Sequence, residues 1–101
     1  MEKLVSIIVP CYKHEKYVES CLKSIIAQTY QNIELIICDD CSPDHSYEVI
    51  CSMKDQLEER FSRVEIIRNN TNQGVTKNLN KMIHIAKGYY IKDIASDDML
   101  M

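Results

Sequence analysis

Glycine and proline are scarce: two of each occur in 101 residues. That excludes flexible linkers and low-complexity segments, and no internal repeat is present. Neither Gly-x-Gly-x-x-Gly nor a Walker loop occurs. A basic stripe is also missing. Twelve Lys and Arg against fifteen Asp and Glu leave a net charge of −3, and like charges do not gather into blocks, so a nucleic-acid partner is not expected. Long apolar runs are missing too. The longest, such as "LVSIIVP", have the length of a strand and fall short of the ~20 residues of a membrane helix, so no membrane span is expected in this segment. The opening "MEKLVSIIVP" lacks the apolar region and cleavage site of a signal peptide. Five cysteines, an odd number, then argue against a disulfide framework and for a reducing, cytoplasmic setting.

What is present supports a packed core. Hydrophobic residues make up 46% of the chain and charged residues 27%, enough for one small domain spanning residues 1–101. Residues 4–9, "LVSIIV", read as a strand buried on both faces, ended by Pro10. Val18, Cys21, Leu22, Ile25 and Ile26 form one apolar helix stripe. "IELIIC", 33–38, reads as a second strand. Ser42-Pro43 then looks like an N-cap and first helical position, opening a second helix striped by Val49, Ile50, Met53 and Leu57. "RVEIIR", 63–68, is a third strand. Val75, Leu79, Met82, Ile83 and Ala86 stripe a third helix that Gly88 would stop. "YYIKDI", 89–94, is a fourth strand. The sum is an α/β, Rossmann-like βαβαβαβ chain with a mainly parallel sheet in the expected order 3-2-1-4. In such a sheet ligands bind outside the carboxyl ends of the strands, at the switch point between strands 1 and 4.

Those carboxyl ends carry Pro10, Cys11 and Tyr12 after strand 1, Asp39 and Asp40 after strand 2, and Ser96, Asp97 and Asp98 after strand 4, with Gly74, Thr76 and Lys77 where the third helix begins. A single Asp at a strand end is ordinary turn chemistry. Two pairs flanking strand 1 point to a functional cleft. Without a glycine-rich loop, a bound diphosphate needs another means of neutralisation, and a divalent cation held by carboxylates supplies it. Asp97 and Asp98 are placed to hold Mg²⁺ or Mn²⁺. Asp40 is placed to accept hydrogen bonds from a base or ribose. Tyr12 either stacks on the base or covers the sheet edge. Lys77, in the first turn of a helix, either meets an anionic ligand or is solvated. His14, His45 and His84 form no ligand set. Cys38 and Cys41 have redox or zinc spacing, yet Cys38 closes a buried strand and no second Cys-x-x-Cys exists. The acids between the sulfurs are the informative residues.

"VSIIVPCYKHEKYVESCLKSIIAQTYQNIELIICDDCSPD" resembles the opening of family 2 glycosyltransferases, and "NNTNQGVTKNLNKMIHIAKGYYIKDIASDD" resembles the family's next block. The resemblance covers almost the whole chain. It implies a partial GT-A fold and transfer of a sugar from a nucleotide-diphosphate donor to a saccharide or lipid-linked acceptor, usually with inversion. Polysaccharide or lipopolysaccharide synthesis, at the inner face of the membrane, is the destination it suggests. It also implies that Pro10 and Tyr12 line the base pocket, that Asp40 with Asp39 binds the nucleoside, that Lys77 lies near the donor, and that Asp97 and Asp98 hold Mg²⁺ or Mn²⁺. Two departures stand out. Where the family often has the first acid of Asp-x-Asp-Asp, this chain has Ala95. The family's catalytic base and acceptor half lie beyond residue 101, so the chain is expected to be the donor-binding part of a longer enzyme, inactive alone, with an exposed sheet edge that favours homo-oligomers. The competing reading is a signalling module of the receiver type. It would need an acid pair after strand 1, where this chain has Pro-Cys-Tyr.

Overall fold

The computed structural model describes residues 3–95. Strands β1 (Val5–Cys11), β2 (Ile33–Asp39), β3 (Arg63–Arg68) and β4 (Tyr90–Asp93) form one parallel sheet in the order β3-β2-β1-β4. Helices α1 (Val18–Ile26), α2 (Ser46–Ser52), α3 (Lys54–Arg60) and α4 (Val75–Ile85) connect them. Alternation along the strands sorts the core into two layers. Ile7, Val9, Leu35 and Ile37 pack under α1, α2 and α3, together with Val18, Leu22, Ile25, Ile50 and Leu57. Ile8, Ile36 and Cys38 face the other way, against Leu79, Met82, Ile85 and Ala86 of and beside α4.

Several elements differ from the sequence expectation, each for a physical reason. Pro10 lies inside β1 and does not end it. Leu4 and Ile8 accept hydrogen bonds from the β4 side, so Pro10, of the same parity, turns its missing N–H to that side. The pairing with β4 has already stopped at Ile8, and no ladder bond is lost. The second helix is two helices broken at Met53. Ser42 does not cap it. Its hydroxyl donates to Asp39 Oδ1 at 2.6 Å, and the helix starts at Ser46, whose N–H and hydroxyl both donate to Asp44 Oδ1. Val75 and Ile83 are not core residues of α4, being 61% and 45% exposed; Ile85 takes the inward place.

Gly88 lies beyond the helix end at Ile85 and serves a close approach. A Cβ there would sit 2.4 Å from Ser6 Oγ, and the Gly88 N–H donates to that same oxygen at 2.8 Å. Ser6 in turn donates to Glu34. Glu34, buried in β2, also accepts from Arg63 Nη1 at 2.9 Å and from the Lys87 N–H. This polar knot ties all four strands together at their amino ends, and a charged residue inside the run "IELIIC" was its only mark in the sequence.

Candidate functional site

At the opposite ends of the strands a cavity of about 330 Å³ opens at the switch point. Pro10, Cys11, Tyr12 and His14 line it from the end of β1, Asp40 from the end of β2, Val75 and Asn78 from α4, and Asp93 and Ala95 from the end of β4. Among the described residues the lining includes two carboxylates and neither lysine nor arginine.

Two loops form the floor around it. Lys13 (φ 58°) and Cys41 (φ 59°) both adopt left-handed backbone just past β1 and β2, at a cost of order 1 kcal/mol each. These kinks bring the loops together. The Lys13 N–H donates to Ser42 Oγ, the His14 N–H to Ser46 Oγ, the Glu15 N–H to Asp44 Oδ2 and the His45 N–H to Glu15 Oε1. The charge on Asp44 belongs to this zipper. Burial opposes it, but the hydroxyl and N–H of Ser46 and the Glu15 N–H hold its carboxyl below the usual carboxylate range.

Asp40 has a double position. It faces the cavity, and it also fastens the approach to α4. Its Oδ1 accepts from Asn69 Nδ2 at 2.9 Å and from the Gln73 N–H at 2.7 Å, and its Oδ2 from the Gly74 N–H at 2.9 Å. Gly74 has φ 91°, a conformation that suits glycine and aims its N–H at the carboxylate. Burial alone would raise the Asp40 carboxyl, but the donors from Gln73, Asn69, Gly74 and Asn78 outweigh it and hold the group below its ordinary value. Asn69 Nδ2 is shared with Asn78 Oδ1 at 2.7 Å, and Lys81 Nζ donates to Asn69 Oδ1 at 2.7 Å. Sequence reasoning missed Asn69, Asn78 and Lys81. The available signal was Asn78, a polar residue at i+3 of the stripe begun by Val75 and continued by Leu79 and Met82.

Of the residues singled out in the sequence, the structure brings Pro10, Tyr12 and Asp40 together on one cavity. Asp39 does not reach it. Asp39 is fully buried, with Oδ2 accepting the Ser42 N–H at 3.0 Å and Oδ1 the Ser42 hydroxyl. Lys77 is exposed on α4 and outside the lining. Asp97 and Asp98 lie outside the described residues. His14, set aside as a helix-end residue, is part of the wall. Cys38 is buried, and burial pushes its thiol up, away from reactivity. Among the described residues no group of three His, Cys, Asp or Glu side chains could hold a metal ion. Carboxylates and the oxygens of a ligand are the hard donors that suit Mg²⁺ or Mn²⁺. No helix among the described residues is long and apolar enough to cross a membrane.

Comparison with known proteins agrees with this arrangement. Glycosyltransferase GlyG of Streptococcus pneumoniae is 40% identical over 100 residues, which is 99% of this chain and 32% of that protein. The UDP-Glc:alpha-D-GlcNAc-diphosphoundecaprenol beta-1,3-glucosyltransferase WfaP of Escherichia coli is 41% identical over 96 residues, 95% of this chain and 36% of that protein. The chain thus spans about a third of the length of these relatives. Among solved structures, S. aureus TarS 1-349 in complex with UDP-GlcNAc superposes with a TM-score of 0.82 at 28% identity, covering 94% of this chain and 27% of that one. The mannosyltransferase from Pyrobaculum calidifontis, in complex with GDP-Man and Mn²⁺, superposes with a TM-score of 0.89 at 20% identity, covering 98% and 29%. The fold is that of a partial GT-A glycosyltransferase. The receiver reading falls away, since the end of β1 offers the cavity no acid pair. The model of glycosyl transferase family 2 matches residues 6–100, and the chain belongs to that family.

Proposed function

We propose that this chain is the donor-binding domain of a longer glycosyltransferase. The enzyme transfers a sugar, with inversion, from a nucleotide-diphosphate donor to a saccharide or lipid-linked acceptor during polysaccharide or lipopolysaccharide assembly on the cytoplasmic side of the membrane. The observation that supports it most is the cavity at the switch point, with Tyr12 and Asp40 on one wall. Tyr12 is 37% exposed, with its ring available to a base. Asp40 accepts a hydrogen bond from an N–H of the bound nucleoside, and Pro10 shapes the apolar side. Asp39 and Ser42 keep the β2 turn rigid behind Asp40. Lys77 lies toward the phosphates. Asp97 and Asp98 would hold Mg²⁺ or Mn²⁺, which would supply positive charge to offset that of the diphosphate leaving group. The reaction also needs a base that deprotonates the acceptor hydroxyl, and none of the residues named above is assigned to that step. UDP is the first nucleotide to test, because TarS was solved with UDP-GlcNAc and WfaP is named for UDP-Glc. Calorimetry with UDP, GDP and their sugars should show binding that strengthens with Mn²⁺, and its absence in the full-length enzyme would sink the proposal. In that enzyme Asp97→Ala and Asp98→Ala should abolish transfer with the fold intact.

A further inference from the structure

Asp93 has no role in the reading above, yet its surroundings are unusual. It closes β4, where it pairs with Ile8 of β1. Two-residue alternation places it on the same side of the chain as Ala95, and both line the cavity, while Ile94 between them is buried in the core. Every other described acid at these strand ends is engaged. Asp39 serves Ser42, Asp44 serves Ser46 and Glu15, and Asp40 already accepts from Asn69, Gln73 and Gly74. The Asp93 carboxylate makes no ion pair or hydrogen bond with any described residue and is exposed to the cavity. A carboxylate offers about four acceptor positions, and here no described residue takes any of them. The described residues of the wall around it include no lysine or arginine, so this part of the cavity suits a neutral group rich in donors and disfavours phosphate. The cavity is also small, near the lower end of the roughly 300–1,000 Å³ of ligand pockets, with room for a nucleoside and little more. Of a nucleoside's parts, the base falls to Tyr12 and Asp40. The ribose is left, with two vicinal hydroxyls that a strand-end carboxylate can accept together.

We propose that Asp93 is a specificity residue that accepts hydrogen bonds from the ribose hydroxyls of the donor, so that an acid one pleat earlier on β4 serves the cavity wall where Ala95 has none. This rests on the donor-binding reading. The test compares UDP and GDP with their 2′,3′-dideoxy analogues, by calorimetry with Mn²⁺, on the full-length enzyme as wild type, Asp93→Ala and Asp93→Asn. Asp93→Ala should weaken the ribonucleotide by roughly ten- to hundredfold, the range for a hydrogen bond to a charged group, and leave the dideoxy analogue unchanged. Asp93→Asn should fall between. The double variant Asp93→Ala, Ala95→Asp should regain part of the loss by moving the acid along the same side. Equal affinity of wild type and Asp93→Ala, tighter binding by the variant, or an equal loss on both analogues would overturn the inference alone, the last because it would mark a metal or structural role. Full-length wild-type enzyme that binds neither UDP nor GDP would overturn the donor-binding reading with it.

Discussion

Asp40 shows one side chain placed both on a ligand cavity and on the start of a helix. Replacing it by Ala leaves the Gln73 and Gly74 N–H groups and Asn69 Nδ2 without their acceptor, which should cost about 1–3 kcal/mol of stability in addition to any loss of nucleotide affinity. The pH dependence follows from linkage. The folded carboxyl lies below its ordinary 3.8, so its charged form contributes stability that is complete above that value and lost as the pH falls through the lower folded value. The stability gap between wild type and Asp40→Asn should therefore be widest near neutral pH and close below about pH 4. Urea unfolding of both proteins across that range measures it, and a gap unchanged down to acid would refute the assignment. The sequence showed Asp40 as a strand-end acid and hid its second task, because all its partners come from the polar loop 69–74 and α4. A run such as "NNTNQG" looks equally solvated whether or not one of its asparagines is buried, as Asn69 is.

At the level of elements, Arg60 of α3 finishes a helix it does not belong to. Its Nε donates to the Ile26 carbonyl at 2.9 Å, and its Nη2 to those of Gln28 and Tyr30 at 2.7 and 2.8 Å. The segment leaving α1 for β2 is thereby tied down, with the guanidinium stacked over Phe61. Lysine has one ammonium and no planar fork. Arg60→Lys should lose about 1–2 kcal/mol, seen in a thermal melt as a fall of at least about 4 °C, whereas Lys23→Arg at the exposed i,i+4 pair with Glu19 should change almost nothing. Strand order, the α1 stripe and the strand-end position of the cavity were legible, because alternating elements and apolar periodicity are local properties. The break at Met53 was not, since Val49, Ile50, Met53 and Leu57 read as one uninterrupted stripe with neither glycine nor proline to mark it. Ser42-Pro43 misled for a related reason. Its cap-like pattern is local, while the competitor that took the hydroxyl, Asp39, is set by where β2 ends.

For the molecule as a whole, the sheet has two outer strands, and β4 is the barer of them. All four of its residues are exposed, and Tyr89, Tyr90 and Ile91 expose 64%, 61% and 44% of their surfaces. Such an edge favours pairing with another chain, so the isolated chain should form dimers or larger species in light scattering at high concentration. Ile91→Lys should shift it toward monomer, and a monomeric wild type would count against the expectation. The same topology has a consequence in time. β1 leaves a ribosome before β4, with β2, β3 and the four described helices made between them. At roughly 5–20 residues per second of synthesis, several seconds pass in which one side of β1 can be covered by β2 while the other waits for Tyr90–Asp93. The cavity wall that needs Asp93 and Ala95 is thus the last part of the described chain to be made, and a nascent chain holds the Asp40 side of its pocket before it can close the other.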